Sequence, residues 1–482
     1  MIIKIMKTDW NHKRVLILGA ARQGLALARW LSLHGAHVTL SDMRSADELR
    51  IARESLAEYQ IDWVLGEHPL DLLDSTDVLC LSGGVPLTLP IVVEAVKRGI
   101  PLSNDSQIFM EAAPCKTVGI TGSSGKTTTT TLVGNMAKLA YPNAKGGRQK
   151  ESDSSAFRML PSAFVGGNIG DPLINYLDEM QTNDIAILEF SSFQLDQMTI
   201  SPNIAAILNV TPNHLDRHGT MEAYTAAKAR ILEFQSHADI AILGRDDKGA
   251  WDLRDKVQGR LNTFSARELD EGLDGTYLQD GMLKLRDGDI NLTLMPREKV
   301  LLRGDHNVMN MLAAFAIGHA AGFDVEPMLE AVKDFRGVPH RLEFVRELRG
   351  VCWYNDSMAS APERSMAAIR AFDEPIVLLL GGRDKDLAWD ELLQLVDGRV
   401  HHVVLFGEAA EKIQKTVIRL GLGEKRFTVS RTEHLREAVL KAAVIAQAGD
   451  VVLLAPGGTS FDEFKDFAER GERFRTWVQE LS

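Results

Sequence analysis

The chain has 482 residues, of which 45% are hydrophobic and 25% charged, a composition typical of globular proteins. At roughly 150 residues per domain, this length predicts about three domains. The 54 Lys and Arg residues against 66 Asp and Glu residues give a net charge of −12, which disfavours a nucleic acid or an anionic membrane as partner. The three cysteines are widely separated, as expected in a reducing cytosol. We find no signal peptide and no apolar run of the ~20 residues that span a bilayer, so we expect a cytoplasmic protein.

Short apolar segments alternate with segments of helical period along almost the whole chain. Uninterrupted apolar strands between helices are typical of parallel sheets covered on both faces. The loops 112–115 and 336–340 are candidate domain joints, and the charged, Ser-rich segment 141–162 is predicted to be a surface loop. The sequence therefore predicts an α/β fold of three domains, which are a Rossmann-like domain (1–114), a central P-loop ATPase-like parallel sheet (115–337) and a second Rossmann-like domain (338–482).

The strongest motif is the segment 117–128, TVGITGSSGKTT. An apolar strand enters a Gly-rich turn and a helix follows, so that backbone N–H groups and the helix N-terminus can surround phosphates. Lys126 would contact the outer phosphates and Thr127 would bind Mg²⁺. The alternative is a Gly/Ser helix start with a solvated lysine. The predicted ATP-binding residues of this loop are Gly122, Ser123, Ser124, Gly125, Lys126, Thr127 and Thr128.

Three further polar residues follow or flank the next predicted strands. Glu189 follows an apolar segment, where a carboxylate beside a phosphate loop can hold Mg²⁺; an exposed strand-end glutamate is the alternative. His214 follows the next strand and is either a metal ligand or a structural histidine. Lys228 lies on the apolar face of the following helix. Its ammonium either reaches water along a packed stem, or it is a buried neutral amine that takes up CO₂ as a carbamate.

The segment 15–24 ends in GAARQG and is similar to a dinucleotide-binding fingerprint, with Asp42 after the next strand. Ala21 occupies the second glycine position, where bare backbone must approach a pyrophosphate. The pattern is therefore weak evidence for NAD. Glycines that serve only close packing of strand and helix are the alternative.

Taken together and in this order, motifs between Gly19 and Phe474 resemble those of the Mur ligase family. They are TGSSGKTT (121–128), GGNIG (166–170), EFSSFQ (189–194), NVTPNHLDR (209–217), AAK (226–228), GDHNVMN (304–310), HRLE (340–343), YNDS (354–357), LGGRDK (380–385) and SFDEFKDF (460–467). Any one of them would be weak evidence, whereas the ordered set is specific to the family.

The resemblance implies an ATP-dependent, amide-forming ligase of peptidoglycan biosynthesis that joins glutamate to UDP-N-acetylmuramoyl-L-alanine through an acyl phosphate. It implies ATP, two Mg²⁺ ions and a carbamate on Lys228, with small-molecule substrates and a monomeric protein. The implied catalytic residues are Lys126, Glu189, His214 and Lys228, of which the last three join Thr127 as metal ligands. Asn307, Arg341 and Asp356 would complete the nucleotide site. The implied contacts to the UDP-substrate, which the domain 1–114 would bind, are Gly19, Asp42, Ser82 and Asn168; those to the amino acid, in the domain 338–482, are Lys385, Ser460 and Phe467.

One motif departs from the family pattern, because NDSKATN is replaced by NDSMASA at 355–361. Met358 thus stands where the family has a lysine that helps to position glutamate, and Lys385 or Arg364 could compensate. L-Glutamate or another amino acid as acceptor, and a folylpolyglutamate-synthase-like ligase, are alternatives within the same fold. From other classes, a Rossmann dehydrogenase is disfavoured by Ala21. A nucleotide-sensing module is disfavoured by the polar residues on successive elements.

Overall fold

The computed structural model describes residues 8–141, 161–384, 387–422 and 426–482. Residues 142–160, most of the predicted surface loop, lie outside the described residues, as does Lys385. The described strands form three sheets in which parallel pairing dominates, and this confirms the predicted α/β fold with Rossmann-like and P-loop-like sheets.

The first sheet has five parallel strands in the order β3-β2-β1-β4-β5. Its strands are β1 (Arg14–Leu18), β2 (His37–Asp42), β3 (Ile61–Leu65), β4 (Val78–Leu81) and β5 (Leu102–Ser103). Its helices are α1 (Arg22–Leu33), α2 (Arg50–Ser55), α3 (Pro90–Lys97) and α4 (Asp105–Ala112), with a 3₁₀ helix at Leu70–Ser75. The strand order reverses between β1 and β4, which is where ligands bind in open parallel sheets.

The central sheet has nine strands in the order β14-β13-β12-β11-β10-β9-β6-β8-β7. Its strands are β6 (Lys116–Thr121), β7 (Ala163–Gly167), β8 (Ile185–Glu189), β9 (Ile204–Ile207), β10 (Ile240–Gly244), β11 (Arg260–Ser265), β12 (Asp274–Gln279), β13 (Met282–Asp287) and β14 (Ile290–Pro296). Its helices are α5 (Lys126–Ala140), α6 (Ser192–Leu195), α7 (Leu215–His218), α8 (Met221–Glu233), α9 (Lys248–Trp251), α10 (Asp305–Ala321) and α11 (Val325–Val332), with 3₁₀ helices at Leu173–Glu179, Arg254–Lys256 and Arg297–Lys299. Strand β13 pairs antiparallel with both β12 and β14, whereas the other described pairs of this sheet are parallel, and β13 and β14 extend its edge.

The third sheet has six strands in the order β15-β16-β20-β17-β18-β19, with β15 antiparallel at one edge. Its strands are β15 (Glu343–Leu348), β16 (Val351–Asn355), β17 (Ile376–Gly381), β18 (Val400–Phe406), β19 (Thr428–Arg431) and β20 (Val451–Gly457). Its helices are α12 (Pro362–Ile369), α13 (Asp390–Arg399), α14 (Ala410–Arg419), α15 (Leu435–Ile445) and α16 (Phe467–Glu480). Every residue of β17 and β20 is buried, as expected for parallel strands covered on both faces.

Helix α5, which follows the phosphate loop, depends on packing for its stability. The helix begins KTTTTT, and β-branched threonine has only modest helix propensity. Its other residues compensate, because Leu132, Val133, Met136 and Ala137 are buried. Packing of this apolar stripe therefore stabilises a helix that its first two turns would not favour.

The described residues divide into two compact units, of which the second consists of Leu301–Gly304 and Phe335–Ser482. Within this second unit Arg303 donates to the hydroxyl of Tyr354 (2.9 Å) and to the carboxylate of Glu374 (2.6 Å). Its guanidinium also lies 5.4 Å from the ring centroids of Tyr354 and Phe372. The predicted domain boundaries at 114/115 and 337/338 stay predictions. No helix in the described ranges is both long and apolar enough to cross a bilayer.

Candidate active site

The phosphate loop (residues 122–125, between β6 and α5) lies where two neighbouring parallel strands of the central sheet end. Strand β6 ends at Thr121 and β8 at Glu189, and Ile120 pairs with Glu189 in the register. Helix α5 starts directly after the loop, with Gly125 as its N-cap at φ +81°. A Cβ at this glycine would lie 2.2 Å from Oδ1 of Asn310, so both the left-handed backbone and the close approach require glycine.

Hydrogen bonds from the loop after β9 hold the phosphate loop in place. The backbone N–H of Ser123 donates to the carbonyl of Asn209 (3.0 Å), and that of Ser124 to its Oδ1 (2.8 Å). The hydroxyl of Ser123 donates to the carbonyl of Thr211 (2.8 Å) and accepts a hydrogen bond from Tyr224 (3.0 Å). Sequence reasoning did not single out Asn209 or Tyr224, although Asn209 follows an apolar strand, a position that favours functional polar residues.

Lys126 places a positive charge on the loop itself. Its Nζ donates to the carbonyl oxygens of Gly122 (2.7 Å) and Ser123 (3.3 Å). The amide of Asn310, the residue that packs against Gly125, donates to Oδ1 of Asn307 (2.9 Å). Asn307 thus lies one side chain away from Gly125, and its role in the nucleotide site stays a prediction.

A buried carboxylate lies beside the start of α5. Glu189 is 2% exposed, and it accepts hydrogen bonds from the hydroxyl of Thr127 (2.8 Å) and from the amide of Asn168 (3.0 Å). A Cβ on Gly167, whose φ is +92°, would lie 2.5 Å from the carbonyl oxygen of Glu189. In the described part of the chain Glu189 forms no ion pair. A buried carboxylate without a cationic partner is the kind of group that a metal ion satisfies.

Lys228 is buried next to the same loop. The residue is 1% exposed, and its Nζ donates to the carbonyl of Gly122 (2.9 Å) and lies 4.7 Å from the ring centroid of Tyr224. Burial, and then the positive charge of Lys126, lower the pKa of Lys228 to about 7, while the negative charge of Glu189 opposes this shift. The alternative of an ammonium that reaches water is therefore wrong, because the amine has no access to water.

His214 lies on the loop between β9 and α7. It is exposed at the start of α7 with φ +52°, and its ring contacts Phe193 at a centroid distance of 5.3 Å. Phe193 also stacks on His218, which is hydrogen-bonded to the hydroxyl of Ser192 (2.9 Å). Among the described residues no group of three or more His, Cys, Asp or Glu side chains is arranged to hold a metal ion. The metal role of His214 stays a prediction.

Three of the four residues predicted to contact the UDP-substrate meet at the carboxyl ends of β1, β2 and β4. A Cβ on Gly19 would lie 2.9 Å from Cβ of Ser82, and Asp42 accepts a hydrogen bond from the N–H of Ala20 (2.7 Å). Burial alone would raise the pKa of Asp42, but hydrogen bonds from the side chain and backbone of Arg44, and from Ala20, outweigh it and hold the pKa at about 2. The fourth residue, Asn168, lies instead beside Glu189 in the central sheet. Arg44 was missed, since an arginine in a loop is expected to be solvated.

In the second unit, the motif after β16 is buried. Burial raises the pKa of Asp356 to about 6. A hydrogen bond from the N–H of Leu342 and the positive charges of Arg341 and Arg364 lower it, but by less. Arg341 itself is exposed. Arg364 donates to the carbonyl of Met358 (3.3 Å), so compensation for the missing lysine by Arg364 stays a prediction.

The two described residues of the predicted amino-acid site flank one segment between β20 and α16. Ser460 is buried, and its carbonyl accepts a hydrogen bond from the N–H of Phe464 (2.8 Å). Phe467 begins α16, and its carbonyl accepts a hydrogen bond from the hydroxyl of Ser357 (2.7 Å). The third residue of this set, Lys385, lies outside the described residues.

Comparisons with known proteins match this chain to Mur ligases along most of its length. Family models match residues 13–104 (Mur ligase MurD-like, N-terminal domain), 120–318 (Mur ligase middle domain) and 340–458 (Mur ligase, glutamate ligase domain). A protein from Symbiobacterium thermophilum described as UDP-N-acetylmuramoylalanine–D-glutamate ligase is 37% identical to this chain. The alignment covers 98% of this chain and 99% of that relative. A protein of the same description from Acidobacterium capsulatum is 39% identical, and the alignment covers 98% of this chain and 97% of that relative.

Solved structures share the fold at low identity. UDP-N-acetylmuramate–alanine ligase from Thermotoga maritima has a TM-score of 0.52 and 20% identity, covering 97% of this chain and 99% of that one. A structure of MurF from Acinetobacter baumannii has a TM-score of 0.53 and 16% identity, covering 98% and 94%. The full-length relatives confirm the family predicted from the motifs. We conclude that the chain belongs to the Mur ligase family and is an ATP-dependent, amide-forming ligase of peptidoglycan synthesis.

Proposed function

We propose that this chain joins D-glutamate to the carboxyl group of UDP-N-acetylmuramoyl-L-alanine at the expense of ATP. Relatives described by that reaction align over nearly their whole length and support this substrate pair. The observation that carries the proposal is the cluster of Thr127, buried Glu189 and buried Lys228 around the phosphate loop. It combines a triphosphate site with acidic and basic groups suited to a phosphoryl transfer.

Mg²⁺ fits the residues of this cluster. The hydroxyl of Thr127 and the carboxylate of Glu189 are hard oxygen donors 2.8 Å apart, and the carboxylate has no ion-pair partner among the described residues. Both groups would hold the ion. When bound, Mg²⁺ offsets the repulsion between the substrate carboxylate and the triphosphate.

The chain's own residues support two chemical steps. The alanyl carboxylate attacks the γ-phosphorus of ATP, ADP leaves, and an acyl phosphate forms. Lys126 stabilises the negative charge that develops on the phosphoryl oxygens. The amino group of glutamate then attacks the acyl carbon, loses a proton, and inorganic phosphate leaves as the amide bond forms. Two steps of this kind need the three substrates held in line.

A carbamate at Lys228 is part of the proposal. A buried amine with a pKa of about 7 is about half uncharged at pH 7, and the uncharged amine is the form that adds CO₂. Addition of CO₂ releases one proton and leaves an anionic carbamate. This group would replace a cation that repels Lys126 by an anion that attracts it, and with His214 it would provide donors for a second ion.

The remaining assignments are proposals of the same kind. Asn307, Arg341 and Asp356 complete the nucleotide site. The domain 1–114 binds the UDP-substrate, 115–337 binds ATP and 338–482 binds the amino acid, and the protein acts as a cytoplasmic monomer. In support, the first sheet lies within residues 14–103, the central sheet within 116–296 and the third within 343–457. The contacts proposed for the UDP-substrate are Gly19, Asp42, Ser82 and Asn168, and those for the amino acid are Lys385, Ser460 and Phe467.

Phosphate release with ATP and UDP-N-acetylmuramoyl-L-alanine tests the proposal. D-Glutamate, L-glutamate, D-aspartate and D-glutamine are compared as acceptors, and product is identified by mass spectrometry. We expect release that depends on both substrates and is fastest with D-glutamate. A preference for another acceptor would contradict the choice of amino acid, and it is a specific risk here because Met358 replaces the family lysine.

A further inference from the structure

Arg470 is a buried cation that neither the motifs nor the proposed mechanism uses. It lies on α16 and is 0% exposed. In the described part of the chain its guanidinium forms no ion pair, although the charges of Asp462 and Glu463 act on it through space. Burial lowers the pKa of Arg470 to about 10, so the group is still charged at neutral pH. A charge removed from water at this cost needs a compensating role.

Its hydrogen bonds all go to neutral oxygens at the carboxyl end of the third sheet. Nε donates to the hydroxyl of Ser357 (3.0 Å) and one terminal nitrogen to the carbonyl of the same residue (2.8 Å). The other terminal nitrogen donates to the carbonyl of Gly458 (3.1 Å) and would lie 2.9 Å from a Cβ on Gly382. One side chain therefore contacts the segments that follow β16, β17 and β20.

These segments carry the residues proposed to bind the amino acid. Gly458 lies two residues before Ser460, and the hydroxyl of Ser357 passes the hydrogen bond on to the carbonyl of Phe467. Strand β20 lies between β16 and β17, although β17 directly follows β16 among the strands along the chain. Such a switch in strand order opens a crevice at the carboxyl ends, where ligands bind.

We propose that Arg470 is a positioning residue for the acceptor amino acid: it ties the three segments together and places a positive charge, which has no ion-pair partner among the described residues, behind the residues proposed to bind the acceptor. This charge favours an acceptor with a second carboxylate. The inference rests on the proposed function and deepens it. Arg470 itself does not touch the acceptor, because it is fully buried. Its charge acts through a protein interior of low dielectric, where screening is weak.

Arg470→Met, Arg470→Lys and Ser357→Ala test this, with Arg473→Met as the matched control, since Arg473 is exposed on the same helix. KM and kcat are measured for each of the three substrates, and D-glutamine is compared with D-glutamate as acceptor. We expect Arg470→Met to raise KM for D-glutamate roughly tenfold, with KM for ATP and for the UDP-substrate within about twofold of wild type. The same variant should show a weaker preference for D-glutamate over D-glutamine. Arg470→Lys keeps the charge and should retain the preference.

Wild-type turnover with D-glutamate tests the proposed function, whereas the variants test the role of Arg470. An unchanged KM and an unchanged preference in folded Arg470→Met would overturn the inference. Equal losses for all three substrates together with a lower melting temperature would also overturn it, because they indicate a purely structural role. If Arg470→Met does not fold, Ser357→Ala decides: it removes the two hydrogen bonds of the Ser357 hydroxyl, from Arg470 and to Phe467, and keeps the charge, so KM for D-glutamate should rise while the preference stays. A wild-type KM in Ser357→Ala would then refute the positioning role.

Discussion

Replacement of Lys228 by methionine should stabilise the protein and abolish its activity. Folding lowers the pKa of Lys228 from 10.5 to about 7, so the folded state disfavours the charged amine. A lowered lysine pKa destabilises the fold fully below the folded pKa, and this contribution disappears as the pH rises through the unfolded value. At 1.36 kcal/mol per pKa unit, the cost is about 4 kcal/mol at pH 7 and about 1 kcal/mol at pH 10.

Methionine leaves little unsatisfied in the cluster. The carbonyl of Gly122 still accepts from Lys126 (2.7 Å), and the hydroxyl of Thr121 still donates to the carbonyl of Phe190 (2.9 Å). We therefore expect Lys228→Met to exceed wild type by about 3 to 4 kcal/mol in free energy of unfolding at pH 7 and by about 1 kcal/mol at pH 10.

The assay is urea unfolding in CO₂-free buffer, followed by hydrogen exchange of peptides from 116–140 and 221–233, because a chain of several domains does not unfold in one step. Only the difference between variant and wild type is compared across pH, so that other titrating groups cancel. Lys228→Arg, which keeps a cation but cannot form a carbamate, should be nearly inactive as well. The reasoning would be refuted if the difference in free energy of unfolding between Lys228→Met and wild type were the same at pH 7 and pH 10. It would also be refuted if Lys228→Met were less stable than wild type at pH 7.

Three further substitutions test the phosphate loop and its neighbours. Lys126→Ala should abolish phosphate release without lowering the melting temperature, because the buried carbonyl of Gly122 still accepts a hydrogen bond from Lys228 (2.9 Å); near-normal turnover would contradict its assignment. Thr127→Val should raise the Mg²⁺ concentration for half-maximal turnover by roughly tenfold, and Thr127→Ser should not, since it keeps the hydroxyl donor; equal effects of both would indicate packing instead. Gly167→Ala should cost roughly 2 to 4 kcal/mol in urea unfolding, from its left-handed backbone and the contact with Glu189. Gly99→Ala, with a positive φ but open space around it, should cost only about 1 to 2 kcal/mol, and a similar loss in both would refute the role of that contact.

The parts of the fold that follow from local pattern were predictable. The apolar strands and the loop TGSSGKTT are local signals, and parallel pairing then places Thr127 beside Glu189 without further information. The burial of Lys228 was left open, because a lysine on an apolar helix face can either snorkel or be enclosed. Only the neighbouring elements decide between the two.

Other features depend on tertiary contacts that no local pattern reports. Arg470 shares a helix face with the buried Phe474 and Val478, and the exposed Arg473 does not. This spacing was the available signal, but it does not show whether the guanidinium is enclosed, which depends on the loops packed over α16. The antiparallel strands β13 and β14 were not predicted, since charged residues such as Lys284 and Arg286 interrupt their apolar pattern. The dipeptide Asp280-Gly281, with positive φ at both residues, is the signal for a tight hairpin that was available.

The position of Arg303 bears on how the chain can be divided experimentally. A fragment cut at residue 338 keeps all six strands of the third sheet yet loses this arginine, leaving the carboxylate of Glu374 without its partner and the rings of Tyr354 and Phe372 without their cover. A C-terminal piece that is to behave like the intact protein therefore has to begin upstream of Leu301. It must carry α10 and α11 along with it, even though both helices pack on the central sheet.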